Sequence, residues 1–338
     1  MPLVSIITAT YNRPALLCEA IDSLLAQSFN DWEMVVLDDG SEPNVELVVA
    51  TFSDPRLRYY YLDHGGLPAA RNRGLELARG RYIGFLDDDD LYHPDKLAHE
   101  IAFLHANPEV KIVGSGYRLV DGTGNVRHIY EPWQRQPELN VANILYGVPI
   151  IPCSVLIARE AIERLDHHFD RAFDRGVGDD TDFFTRLILA GACFAWLPEV
   201  LSDYRRLHIR DGTVLLDSWH AYRQIYDKIF QLPDLSPEIT RQRQSVLTHF
   251  ELRYAWVAYA TGATQAAQWF LLRALVQEPR LPGEQAQLII EGVSAFAHNR
   301  IYVDDPAAYI DYILAHLPTP LQHLADRMAE IKMTGVEA

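Results

Sequence analysis

Hydrophobic positions in the first ~110 residues alternate between two patterns. Continuous apolar runs at "LVSIIT" (3–8), "EMVVLD" (33–38) and "RYIGFLD" (81–87) predict buried strands, and the alternating run "LRYYYL" (57–62) predicts another. Between them, Leu17, Ile21, Leu24 and Leu25 repeat at helical spacing behind Pro14. "NVELVVATF" predicts a second helix, and "PAARNRGLELARG" a third that Gly80 closes. Strands alternating with helices predict a parallel sheet covered by helices, an α/β fold.

From 111 to about 207 the pattern is mixed. It predicts a strand at "KIVGSGYRLV", a turn at "DGTGN", a helix near 139–146, a strand at "CSVLIA", a helix from 179 to 190, and short strands at "CFAWLPE" and "LSDYRRL". Beyond 213 the spacing is helical, with a start signal at Ser236-Pro237 and breaks at Pro279, Pro282 and Pro318. "RYAWVAYATGATQAAQWFLLRALVQEP" predicts two amphipathic helices hinged at Gly262, an appendage that packs on the first part or makes a dimer.

Composition narrows the classes. The chain has 338 residues, 49% hydrophobic and 22% charged, which suits a globular protein of about two domains. A net charge of −16 opposes nucleic-acid binding, because no basic excess exists to neutralise phosphates. No apolar run approaches the ~20 residues of a membrane helix, and "MPLVSIITATYN" lacks a leader's charged start, so a cytoplasmic location is expected. Cys18, Cys153 and Cys193 show no metal or redox spacing and are expected to be reduced core residues.

Candidate chemistry lies after the strands, because open α/β sheets bind ligands beyond the carboxyl ends of their strands. Thr8, Ala9, Thr10, Tyr11, Asn12 and Arg13 follow the first strand; Asp38, Asp39, Gly40 and Ser41 follow the second. After "RYIGF" come Asp87, Asp88, Asp89 and Asp90. Tyr11 can stack on a base, and Asp39 can accept a ring N–H from uracil or thymine. Four adjacent carboxylates repel unless a cation intervenes. They suit either a solvated loop leading into a helix with Pro94 in its first turn, or a Mg2+ or Mn2+ site. Asp87 with Asp89, or Asp88 with Asp89, would supply its oxygens. Arg71 and Arg73 can add cationic contacts to phosphate. A last cluster, "GVGDDTDFFTRL", sends Asp179, Asp180 and Asp182 into a helix, where an ionised carboxylate can accept a proton.

With these residues assembled, the chain resembles the family 2 glycosyltransferases. "VSIITATYNR", "VVLDDGS", "ARNRGLELARGRYIGFLDDDDLYHPDKL", "FDRAFDRGVGDDTDFFTRLILAG" and "DYRRLH" occur in the family's order over residues 1–210. The resemblance implies a GT-A nucleotide-diphospho-sugar transferase fold, with a Rossmann-like mixed sheet and a C-terminal helical extension. It implies a catalytic domain over 1–212, with 1–110 binding nucleotide and 111–212 binding acceptor, and a helical region over 213–338. Carried over by position, Thr8, Ala9 and Tyr11 line the nucleotide pocket beside Arg13, Asp39 binds the base, and Arg71 contacts the nucleotide. The DxD element maps onto Asp87-Asp88-Asp89, with Asp88 near ribose or sugar and Asp89 on Mn2+ or Mg2+. Asp180 maps onto the catalytic base. Asp179 stands where the family has glutamate, and the stretched ending "YRRLH" leaves His208 as a metal or diphosphate contact.

The implied reaction is inverting transfer from a nucleotide sugar, UDP-linked or alternatively dTDP- or GDP-linked. A glycan, lipid-linked or other hydroxyl acceptor receives the sugar in cell-surface polysaccharide or glycoconjugate synthesis. Peripheral contact with the inner membrane face and a homodimer through the C-terminal helices are the further partners implied. Trp133, Trp196, Tyr117 and Tyr130 are either sugar-stacking or core aromatics. Three rivals are weaker. An aspartyl phosphotransferase needs an aspartate after the first strand, a dinucleotide enzyme needs GxGxxG there, and "SIITATYN" has neither. A catalytically silent nucleotide-sugar or glycan-binding module would have no need of both Asp89 and Asp180.

Overall fold

Strand β1 (Val4–Thr10) pairs in parallel with β2 (Trp32–Asp38) and with β4 (Tyr82–Phe85), and β2 pairs in parallel with β3 (Leu57–Tyr61). These contacts come from a computed structural model. It describes residues 1–173, 178–206, 212–233, 235–260 and six positions from 263 to 274. The chain divides into two units, residues 1–209 and 210–338.

In the first unit, α1 (Pro14–Leu25), α2 (Glu46–Ala50) and α3 (Leu67–Leu77) connect the parallel strands. Val4 and Ile6 of β1 join Leu17, Ile21 and Leu24 of α1 in one core. Ile7 points the other way, as alternation requires, toward α3. Gly74 makes that approach possible: a Cβ there would lie 2.4 Å from Ile7 Cγ2 and 3.2 Å from Leu37 Cδ2. Gly80 does not close α3, which ends at Leu77 with an extended Ala78. Its role is close approach, since a Cβ would lie 2.4 Å from the Ser5 nitrogen.

After β4 come β5 (Leu91–Tyr92), α4 (Lys96–Ala106), β6 (Ile112–Asp121), β7 (Val126–Tyr130), β8 (Val155–Ala158), α5 (Arg159–Ile162), α6 (Asp179–Leu189) and β9 (Phe194–Arg206). The sheet order is β3-β2-β1-β4-β8-β6-β9-β5, with β7 added on β6. β8 is antiparallel to β4 and β6, β9 is parallel to β6, and β5 is antiparallel to β9. The α/β class and mixed sheet implied by the resemblance are therefore present.

Three local expectations are corrected. The helix near 139–146 is a short 3-10 turn at Ile144–Tyr146. Asn140 and Asn143 accept from the Ala142 and Asn140 N–H groups, a local alternative to helix bonding. The two strands expected from "CFAWLPE" and "LSDYRRL" are the single strand β9, whose register against β6 shifts between Gly114 and Gly116. Helix α4 starts at Lys96, so Pro94 precedes it rather than opening its first turn. The cysteines also divide: Cys153 is buried, Cys18 half-buried and Cys193 exposed, so only the first is a core residue.

The second unit contains α7 (Gly212–Ile229), α8 (Pro237–Arg241) and α9 (Arg243–Ala260). Ser236 caps α8 by accepting the Ile239 N–H at 3.3 Å. Its core holds Trp219, Phe250, Tyr254 and Phe270, and the Trp219 indole donates to buried Glu251 at 2.9 Å. Among the described residues no helix is long and apolar enough to cross a membrane. Gly262, Pro279, Pro282 and Pro318 lie outside the described residues.

Candidate active site

The parallel strands end along one rim, and backbone hydrogen bonds tie those ends together: Asp39 N–H donates to Thr10 O at 2.9 Å and Leu62 N–H to Asp38 O at 2.8 Å. Asp38 is fully buried and accepts from Ser41 N–H, Val45 N–H and the Tyr59 hydroxyl at 2.9, 3.0 and 2.7 Å. Burial opposes its ionisation, but these donors hold the carboxyl below its ordinary range. It fixes the turn that presents Asp39.

Asp39 accepts the Gly65 and Gly66 N–H groups at 2.8 and 2.9 Å, one on each oxygen. Oδ1, which His64 does not approach, keeps a second lone pair for a ligand. His64 Nδ1 lies 2.8 Å from the Asp39 carbonyl and 3.0 Å from Oδ2, and both are acceptors, so Nδ1 carries a proton. The His64 ring stacks on Tyr11 with centroids 4.5 Å apart. Tyr11, 46% exposed, thus offers an aromatic wall beside Asp39. Thr8 is fully buried inside β1 and its hydroxyl has no hydrogen-bond partner, whereas Ala9 is half-buried.

The four aspartates form a turn, closed by Asp90 N–H donating to Asp87 O at 3.0 Å. Each has a different task. Asp87 receives Arg71 Nη2 on both oxygens, at 2.7 and 3.0 Å. Asp88 accepts the Thr10 hydroxyl at 2.8 Å, and Arg13 Nη1 lies 3.2 Å from Asp88 Oδ1 and 3.0 Å from Asp89 Oδ2. Burial raises Asp88 to about 6, against Thr10 and Arg13 and with help from Asp89. Burial and the neighbouring Asp87 raise Asp89 as well. Asp90 is not part of a solvated loop. It is buried and accepts the Arg205 N–H of β9 at 2.9 Å.

Arg71 lies on the sheet-facing side of α3, one turn before Gly74, and is 3% exposed. Its second nitrogen donates to Asp179 Oδ2 at 2.6 Å, so a single guanidinium joins the acidic turn to the start of α6. Burial pushes Asp179 up to about 6 although Arg71 opposes it. Asp180, half-buried, turns one oxygen to the Thr181 N–H at 2.6 Å. Asp182 is spent on structure, paired with Arg186, which also binds the His167 and His168 carbonyls.

Tyr11, Arg13, Asp39, Arg71, Asp87, Asp88, Asp89 and Asp180 therefore gather at one rim, from the strand ends, α3 and the start of α6, and Arg73 pairs outside it with Glu76. His208 lies outside the described residues. Tyr117 and Trp196 are buried, and Tyr117 stacks on Tyr130 at 4.7 Å. His64 is the site residue the sequence pattern did not single out. A signal existed, since it follows β3 as Asp39 follows β2, but one histidine between small residues makes no charge pattern.

The residues fit a hard divalent cation. Asp88 Oδ1 and Asp89 Oδ2 already converge on one cationic nitrogen, and Mg2+ or Mn2+ is usually held by one or two carboxylates plus phosphate oxygens. Asp87 is committed to Arg71. Among the described residues no three His, Cys, Asp or Glu side chains are grouped to hold a metal unaided.

Comparison with known proteins gives the site a context. Residues 5–165 match the family model "Glycosyl transferase family 2". An uncharacterized glycosyltransferase of Haemophilus influenzae is 34% identical over 180 residues, 51% of this chain and 70% of that protein. One of Rickettsia typhi is 34% identical over 168 residues, 47% of this chain and 52% of that protein, so the chain spans about half of that relative's length. The putative teichuronic acid biosynthesis glycosyltransferase TuaG of Bacillus subtilis is 29% identical over 233 residues, 66% of this chain and 88% of that protein. Among solved structures, S. aureus TarS 1–349 in complex with UDP-GlcNAc matches with TM-score 0.63 and 18% identity, over 100% of this chain and 93% of that one. The mannosyltransferase PcManGT of Pyrobaculum calidifontis with GDP-Man and Mn2+ matches with TM-score 0.56 and 20% identity, over 99% and 88%. These two share the fold.

Proposed function

The chain belongs to the family 2 glycosyltransferases, and we propose that it transfers a sugar, with inversion, from a UDP-linked donor to an acceptor hydroxyl. The observation that carries this reading is the joining of Asp39, Asp88-Asp89 and Asp179-Asp180 at one rim through Thr10, Arg13 and Arg71. Asp39 receives the imide N–H of a pyrimidine, and Tyr11 with His64 supplies the aromatic wall. TarS binds UDP-GlcNAc and PcManGT binds GDP-Man, so the fold accommodates both bases, and the acceptor-only Asp39 suits either ring N–H.

Asp88 and Asp89 would hold Mg2+ or Mn2+ together with diphosphate oxygens, as the Mn2+ of PcManGT makes reasonable for this fold. When bound, the ion supplies positive charge that stabilises the departing nucleoside diphosphate. The chain's own residues do the rest. Asp180 accepts the proton of the acceptor hydroxyl as its oxygen bonds to the anomeric carbon and the bond to the diphosphate breaks. Such base catalysis contributes about 10²- to 10⁴-fold. Asp179, locked to Arg71, holds the start of α6 against the acidic turn and leaves Asp180 the acceptor-facing role. The TuaG relationship makes a cell-surface polysaccharide the proposed product class.

A thermal-shift panel of UDP, dTDP, GDP, CDP and ADP, with and without Mn2+, tests the donor. UDP with Mn2+ should stabilise most, and no metal-dependent shift with any of them would sink the reading. For the base, Asp180→Asn should keep UDP and Mn2+ affinity and lose transfer by about 10²-fold or more. Wild-type turnover would exclude Asp180.

A further inference from the structure

The carboxylates of Asp88 and Asp89 would repel strongly with no cation between them. Here Arg13 Nη1 occupies that position, 3.2 and 3.0 Å from one oxygen of each. A guanidinium nitrogen and a divalent ion cannot both sit at this point between the two oxygens, because they would occupy the same space and repel. We propose that Arg13 is the resident counter-cation of the Asp88–Asp89 pair and must be exchanged for the divalent ion, which makes metal binding conditional on the nucleotide. The proposal rests on the reading of Asp88 and Asp89 as the metal-binding pair.

The backbone around Arg13 suits an exchange. Asn12, with φ of 55°, is clamped to the neighbouring loop: its N–H donates to Ser41 Oγ and its side-chain oxygen accepts the Glu42 N–H, each at 2.9 Å. The Arg13 side chain is 44% exposed, whereas that of Asp88 is 6% exposed. A fixed root therefore carries an arm that can leave, while the carboxylates stay in place. Arg71, the other guanidinium at the turn, is buried between Asp87 and Asp179 and is not such an arm.

A nucleoside diphosphate changes the balance in two ways. It brings oxygens that complete the coordination of Mg2+ or Mn2+. It also gives the released Arg13 a new anion, since the guanidinium fork matches phosphate. Metal and nucleotide must then strengthen each other's binding by the same factor, and part of that factor belongs to Arg13.

The test measures Mn2+ binding to the full chain by titration calorimetry, with the free ion followed by its paramagnetic resonance signal. Without nucleotide, Arg13→Gln should bind Mn2+ about 5- to 20-fold more tightly than wild type. Its gain in Mn2+ affinity on adding UDP should be smaller by a similar factor. Arg13→Lys, which keeps the charge but presents no planar fork, should fall between the two. Unchanged or weaker Mn2+ binding in folded Arg13→Gln and Arg13→Lys would overturn the exchange. Asp89→Asn separates the two levels: if it binds Mn2+ as wild type does in the presence of UDP, the metal-site reading itself fails, whatever Arg13 does.

Discussion

Arg71 shows what a single residue contributes when its partners come from distant parts of the chain. Its guanidinium lies between Asp87, 16 positions on from Arg71, and Asp179, 108 positions on, and 5.4 Å from the Phe169 ring. Arg71→Met should leave those carboxylates facing a thioether, with a loss of about 3–5 kcal/mol of unfolding free energy at pH 8. The loss should be smaller at pH 5. Burial already raises Asp179 to about 6, and without Arg71 it rises further, so acid removes the unpaired charge. Urea melts at both pH values check this, and an equal loss at each would show that charge is not the cause. The carboxylate clusters were legible in the sequence because they follow apolar runs. Their partners were not, because Arg13 meets Asp88 and Asp89 across 75 and 76 residues, and no local spacing encodes such a bridge.

At the scale of elements, the parallel half was legible for a physical reason. Strands buried on both faces read as unbroken apolar runs, and the helices between them keep a 3.6-residue period. The later strands lack that clarity. In β9, Pro198 interrupts the run, and Trp196 and Val200 pair with Gly114 and Gly116, so the strand carries extra residues at its proline. A proline removes a ladder donor and is tolerated at such a bulge, which is why one strand looked like two. Beyond the bulge, Asp203 accepts from His93 Nε2 at 2.8 Å and from Arg118 at 2.6 and 2.7 Å, fastening β9 to the segment between β5 and α4 and to β6. Burial opposes its charge, but these donors hold the carboxyl at about 2. A depressed carboxyl stabilises above its unfolded pKa and loses that contribution as pH falls through the folded one. Asp203→Asn should therefore cost on the order of 1–2 kcal/mol, constant from pH 7 to pH 5, with the gap to wild type closing between about 4 and 2. Denaturant titrations at pH 7, 5 and 3 would reveal a gap that fails to close. Gly80 tests an element junction. A Cβ there meets the Ser5 nitrogen at 2.4 Å and the Val4 carbonyl carbon at 2.7 Å, and backbone cannot yield as a side-chain tip can. Gly80→Ala should cost about 1–3 kcal/mol by calorimetry, and a neutral result would mean that the β4 entry is free to shift.

For the whole molecule, the decisive question is how much chain the site requires. The sequence placed its chemistry before residue 210, and the family match covers 5–165. Among the described residues, the main core of the first unit, from Val4 to Leu201, is built from β1, β2, α1, α4, β6, β8 and β9. The second unit has its own aromatic core around Trp219 and Phe250, with Glu251 held by Trp219 and Arg273. Separate cores are what independently folding domains have. A chain ending at Ile209 should therefore unfold in one cooperative transition and bind UDP with Mn2+ within about twofold of the full chain, a small change against the tenfold that 1.4 kcal/mol makes. Calorimetry and UDP titration on the shortened protein decide it. Loss of cooperativity would show that the first core is incomplete alone. Retained cooperativity with lost UDP affinity would show that the helical unit takes part in holding the donor, and would place the search for missing site residues there.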